Sequence, residues 1–313
     1  MDELVDGVRR VTFRLPFGID HVHCYLLASP DGWIAVDAGL GLPDAADRWR
    51  DALAQLDGPV TRIVITHFHP DHVGAAADLA ELTGAAVYQG ELDYAQSLAA
   101  WGDRRIPERL PEYMRTHGLP EEDLDLLRRE SAALLALVHL VRDPQPLAAG
   151  DHVDAWEVLH LPGHADGHLA LIRGGVLVAG DAILGTITPN VGLYPDAAPD
   201  PLADYLTSLA RIQQLAPRVA LAGHGDPVTD PPARAREIIS HHRERLEHAA
   251  AALDGRSVTA YEASLVLFSE PLSPALRRFA LAETRAHLEY LVRRGAAVRG
   301  EDGDVVTYTS ALE

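Results

Sequence analysis

The 313-residue chain contains no lysine and only one cysteine, Cys24. A lone cysteine excludes an internal disulfide, so the expected compartment is a reducing cytoplasm. All 27 basic residues are arginine, which we read as coding bias because arginine remains an ordinary surface charge. Aromatic residues make up 6% of the chain, so alanine and leucine carry most of its 47% hydrophobic content. No apolar run approaches the ~20 residues that cross a bilayer, and no membrane partner is expected. Residues 1–10 are acidic and mixed and do not read as a signal peptide. Positive charge is scarce overall. The net charge of −19 argues against generic binding to phosphate backbones or anionic lipid, so nucleic acid is not the expected partner.

The length and apolar content suffice for one large domain and a small one. Short apolar stretches at 11–14, 24–28 and 33–36 read as strands, with Pro30-Asp31-Gly32 as a turn. Helical spacing follows at 43–56, then a strand at 62–66, a helix at 73–82 and a strand at 85–88. The segment 91–149 is glycine-poor and leucine-bearing, with Leu124, Leu127, Leu134, Leu135 and Val138, and reads as a helical insertion. Strands are expected again at 153–159, 169–172, 176–179 and 219–222, and helices at 201–215 and 232–252. This alternation predicts a layered α/β domain over 1–253. Beyond it, two helices (258–267 and 274–294) and a hairpin (297–309) resemble a winged helix over 254–313.

The chemistry concentrates in Thr66-His67-Phe68-His69-Pro70-Asp71-His72, between a predicted strand and a predicted helix. Four metal-capable side chains fall within six residues, and a tight proline-containing loop can aim His67 and His69 one way and Asp71 and His72 another. Imidazole and carboxylate together suit zinc and neighbouring transition metals. Three later residues also lie just past apolar strands, where α/β folds build sites. They are His164 in Pro162-Gly163-His164-Ala165-Asp166-Gly167-His168, Asp181 after Gly180, and His224 between Gly223 and Gly225.

The ordered set HxHxDH, PGHxxGH, GD and GHG resembles the metallo-β-lactamase superfamily over residues 8–250, in its glyoxalase-II-like and lactamase-β-2-like branches. That resemblance implies a four-layered αβ/βα sandwich with two metal ions at one edge. It implies that His67, His69 and His164 bind the first ion, that Asp71, His72 and His224 bind the second, and that Asp181 bridges them. Asp37, in Ala35-Val36-Asp37-Ala38-Gly39, is similar to a strand-end aspartate that supports the metal loop. His168 matches a histidine that is usually not a ligand. Zinc is the first expectation, with iron or manganese as alternatives.

The expected reaction is hydrolysis of a small thioester or lactone by a hydroxide bridging the two ions. Asp71 doubles as a proton shuttle, and Tyr194 is a candidate hydrogen-bond donor to the oxyanion. The leucines of 91–149 are a candidate lid for an acyl chain; packing or dimerisation is the alternative, and a homodimer stays open. Two other activities compete: a single-strand ribonuclease using Arg277, Arg278, Arg293 and Arg294, and a persulfide dioxygenase with one iron. His21 and His23 are expected to be structural or at the pocket rim. His241, His242 and His248 are expected on a solvated helix face.

Overall fold

The computed structural model describes residues 1–5, 7–16 and 18–311, so the last two residues of the expected C-terminal module, 312 and 313, lie outside the described residues. Seven strands form the first sheet in chain order: β1 (Asp2–Val5), β2 (Val8–Arg14), β3 (His21–Ser29), β4 (Gly32–Val36), β5 (Val60–Val64), β6 (Ala86–Gln89) and β7 (Gln145–Pro146). The first four pair antiparallel, and β4 to β7 run parallel. Five strands form the second sheet: β8 (His152–Val153), β9 (Trp156–His160), β10 (Leu169–Arg173), β11 (Val176–Gly180) and β12 (Val219–Ala222). Only the β11–β12 pair is parallel there.

The sheets are buried on both faces, which is why their strands read as unbroken apolar runs rather than alternating ones. In β4, Ile34 and Val36 face Trp156 and Val158 of the second sheet. Trp33 and Ala35 face outward, in a cluster with Trp49 and Leu79 of helices α1 (Ala45–Leu53) and α3 (Ala76–Thr83). A four-residue helix, α2 (Pro70–Val73), precedes α3, so the single helix expected at 73–82 is split at Gly74-Ala75. The outer face of the second sheet takes Tyr205 and Leu209 of α7 (Pro201–Leu215) and Ile238 of α8 (Pro231–Ala252). The single strand expected at 153–159 is also broken, at Asp154, whose φ of 53° is left-handed.

The segment 91–149 is helical as expected. It contains α4 (Glu91–Ser97), a π-helical turn over Leu98–Gly102, α5 (Ile106–Arg115) and α6 (Glu121–Leu135). The leucines singled out there as a candidate lid are packed inside the protein. Leu110, Leu119, Leu124 and Leu127 are buried with Leu281, Leu288 and Tyr308 from the end of the chain. Leu135 and Val138 join the cluster over the first sheet. These side chains therefore serve packing.

The final segment is a small domain. A three-stranded antiparallel sheet of β13 (Val258–Thr259), β14 (Ala297–Asp302) and β15 (Val305–Ser310) packs with α9 (Ala260–Leu267) and α10 (Pro274–Arg293). Thr259 starts α9 through a reciprocal capping box with Glu262, so the helix begins two residues later than expected. Two expectations about polar residues in and beside it are overturned. Arg277 is buried, and its guanidinium donates to the carbonyls of Ser264, Phe268 and Glu270, so it is no part of a surface track. His242 is fully buried rather than solvated, because α10 and α7 cover its side of α8 with His287 and Tyr205. No described helix is long and apolar enough to cross a membrane.

Candidate metal centre

The strand ends build the site. His67 lies three residues past β5, His164 four past β9, Asp181 one past β11 and His224 two past β12. Pro70 opens α2 immediately after His69, and that turn carries Asp71 and His72 inward. All seven side chains named by the motif converge. His69 Nδ1 and His164 Nε2 stand 2.8 Å apart. His224 Nε2 is 3.4 Å from Asp71 Oδ2 and 3.2 Å from Asp181 Oδ2. Asp181 also reaches His72 Nε2 through Oδ1 at 3.5 Å and His164 Nε2 through Oδ2 at 3.6 Å. Its carboxylate thus touches both donor sets.

Hydrogen bonds on the outer nitrogens set the tautomers. His72 Nδ1 donates to Asp37 Oδ2 at 2.8 Å, His164 Nδ1 to the Asn190 carbonyl at 2.8 Å and His224 Nδ1 to the His21 carbonyl at 2.6 Å. The Thr66 hydroxyl donates to Asp37 Oδ2 and accepts from His67 Nδ1. In each ring Nδ1 holds its proton outward, so Nε2 faces the centre, where it would give its lone pair to a metal ion. Among the described residues, His67 Nε2, His72 Nε2 and Asp181 Oδ1 are buried without a hydrogen-bond partner. Buried polar atoms are normally satisfied. Three unsatisfied donor atoms aimed at one space fit metal cations there.

Charge follows the same division. Burial and neighbouring imidazoles hold His67, His69 and His164 neutral, with His69 pushed down to about 3. Burial acts against charge on His224 too, but Asp181 and Asp71 outweigh it and raise the ring to about 10. One set is thus purely imidazole and the other carries the carboxylates. Two glycines make room. A Cβ on Gly223 would lie 2.3 Å from Asp181 Oδ1, and one on Gly180, at a left-handed φ of 48°, would lie 2.9 Å from His168 Nε2.

Residues 17–224 match the Metallo-beta-lactamase superfamily, and residues 246–311 match Metallo-beta-lactamase-like, C-terminal domain. The chain belongs to the metallo-β-lactamase superfamily. This superfamily member is similar to TTHA1429, a metallo-beta-lactamase family protein from Thermus thermophilus. That structure is 38% identical, with a TM-score of 0.84, and the match covers 98% of this chain and all of that one. A probable metallo-hydrolase from Bacillus subtilis, YqjP, is 28% identical over 97% of this chain and 98% of its own. The hydroxyacylglutathione hydrolase GloC of Haemophilus influenzae is 29% identical over 59% of this chain and 77% of its own. The chain is therefore a probable metallo-hydrolase, with a His/Asp cluster of the kind that holds two ions.

In this metallo-hydrolase, the remaining residues singled out from the motifs fall around the seven. Asp37 is buried at a left-handed φ of 63° and accepts from Thr66 N, Thr66 Oγ1 and His72 Nδ1. His168 accepts the Asp181 backbone N–H on Nε2 at 3.1 Å, so it positions Asp181 rather than facing the centre. His21 and His23 brace the His224 loop, through Gly225 N and Gly225 O respectively. The Tyr194 hydroxyl is buried without a partner among the described residues, and the ring packs against the C-terminal cluster.

Sequence reasoning missed two supports. Asp93 Oδ1 accepts Phe68 N at 2.9 Å, and Trp101 Nε1 donates to Phe68 O at 2.8 Å. The insertion thus grips both polar groups of the residue between His67 and His69. Asp93 is fully buried, and burial raises its carboxyl to about 7. The only sequence signal was an acidic residue in a first helical turn, which is commonplace.

Proposed function

We propose that this protein hydrolyses a small thioester or lactone at a dinuclear centre, zinc being the first choice of metal and iron or manganese the alternatives. The observation that carries the reading is the Asp181 carboxylate, which reaches His164 of the neutral set and His72 and His224 of the charged set. His67, His69 and His164 would hold one ion, Asp71, His72 and His224 the other, and Asp181 both. Two such ions lower the pKa of water towards neutrality and polarise a carbonyl. No serine or cysteine nucleophile is then required. Asp71 lies at the more open end of the centre and takes the proton to the leaving sulfur or oxygen. Tyr194, whose hydroxyl lacks a partner among the described residues, is the proposed donor to the oxyanion.

A small substrate is favoured over a polynucleotide by charge. The net charge is −19, and the C-terminal arginines are engaged: Arg277 is buried, Arg293 donates to Pro199 O, and Arg294 pairs with Asp200. The name of the Haemophilus relative favours a thioester. We assign the catalytic domain to 1–253 and read 254–313 as a winged-helix-like module that braces the insertion.

The test is a screen of metal-loaded protein against acyl-CoA, glutathione thioesters, lactones and single-stranded RNA. Thioester or lactone turnover is expected, unchanged when Arg278, Arg293 and Arg294 are neutralised together. RNA cleavage that falls steeply with salt and with that triple change, in protein inactive on thioesters, would reject the proposal.

A further inference from the structure

A second group of metal-capable side chains lies outside the main centre. His242 of α8 and Glu283 and His287 of α10 place one ligand atom each within 4.8 Å of one another. His242 and His287 are fully buried, and Glu283 is 7% exposed. Glu283 and His287 are four residues apart, so they project from the same face of α10 on successive turns. His242 approaches from the facing helix.

We propose that His242, Glu283 and His287 form a third, structural site for a divalent transition-metal ion such as zinc, clamping α8 to α10.

Three features bear on it. The first is tautomeric. His287 Nδ1 donates to the Glu283 carbonyl at 2.8 Å, which leaves the Nε2 lone pair pointing at His242. His242 Nδ1 faces it at 3.1 Å. Two imidazole nitrogens on a tetrahedral zinc ion stand about 3.3 Å apart, so the pair needs only a small opening to admit one. The second is proton balance. To ligate through Nδ1, neutral His242 moves its proton to Nε2. That shift gives up the His242–His287 hydrogen bond and leaves an N–H on an atom buried without a partner among the described residues, a cost that the two metal–nitrogen bonds must offset.

The third is charge. The Glu283 carboxyl is buried in the helix interface, and Asn190 Nδ2 donates to it at 2.9 Å. One neutral donor does not compensate a buried negative charge, and burial accordingly raises the carboxyl to about 7. Arg245 eases this, but its guanidinium is engaged by the Leu267 carbonyl and His241. A cation on two neutral imidazoles would discharge Glu283 fully. The site would also steady the main centre, because the Asn190 that donates to Glu283 accepts from His164 Nδ1.

Full-length protein is stripped with a chelator, reloaded with zinc and counted by native mass spectrometry. Three ions per chain are expected, falling to two in His242→Gln and in His287→Gln. A count that is the same in the unmodified protein and in both variants would overturn the proposal, whether the main centre holds one ion or two. Should one variant fail to fold, the unmodified count and the other variant still decide. The test is independent of the hydrolase reading: loss of the third ion leaves thioester or lactone turnover to be judged on the remaining two.

Discussion

Asp37 and His72 form the hydrogen bond on which the orientation of the metal loop depends. Asp37 Oδ2 takes the His72 Nδ1 proton at 2.8 Å, and the opposite nitrogen is thereby turned to Asp181. The same carboxylate holds Thr66 through both its backbone N–H and its hydroxyl, and the hydroxyl in turn orients His67. One buried side chain therefore governs a histidine in each donor set.

Asp37→Asn tests this directly. The amide keeps the shape but halves the acceptor oxygens, and its NH2 group opposes one of the three donors. Metal affinity should fall roughly 10- to 100-fold, as for other outer-shell partners. Competition with a chromophoric chelator measures it. Affinity within twofold of the parent would mean the loop holds its shape without Asp37.

Asp181 and His168 separate ligation from positioning. Asp181→Ala should remove the contact shared by both donor sets, so both metal content and rate should collapse. His168→Ala should retain most of the metal, because only the Asp181 N–H bond is lost. His164→Ala should behave like Asp181→Ala. If His168→Ala lost metal as fully as His164→Ala, the two histidines would have to exchange roles.

His117 predicts an acid weakness remote from the metals. It is 3% exposed between the insertion and the C-terminal domain, and burial lowers its pKa from 6.5 to about 4. The fold binds the neutral ring, so the unfolded chain takes up the proton first as pH falls. The stabilisation is complete above about pH 6.5 and is lost progressively towards pH 4, to the order of ~3 kcal/mol. Denaturant titrations of metal-stripped His117→Phe should show a shallower decline over that window than the parent. Identical slopes would rule the residue out.

Arg277 predicts a stability effect where a surface reading predicts none. Arg277→Ala removes the guanidinium donor from the Phe268 and Glu270 carbonyls and leaves the Ser264 carbonyl only the Phe268 N–H, at a cost of about 1–3 kcal/mol. Arg243→Ala, on an exposed turn of α8, should change stability by less than ~0.5 kcal/mol. Thermal melts of the two variants in parallel decide it. Equal melting temperatures would return Arg277 to the surface set.

By itself, the sequence determined the family and named the side chains that converge on one centre. Ligand types, loop glycines and the position of each motif just past an apolar run are local properties, and all seven side chains do meet. It also determined the helical character of 91–149 and the helices and hairpin near the end of the chain. What it could not determine was which side of a helix finds a partner. Leu110 of α5 and Leu124 and Leu127 of α6 cluster with Leu281 and Leu288, more than 140 residues away along the chain, and no local period distinguishes that contact from an acyl-chain lid. Arg277, His242 and Asp93 read as ordinary polar residues. Only tertiary packing buried them, and burial is what turns a solvated charge or ring into a hydrogen-bonded strut, because water no longer competes for its partners.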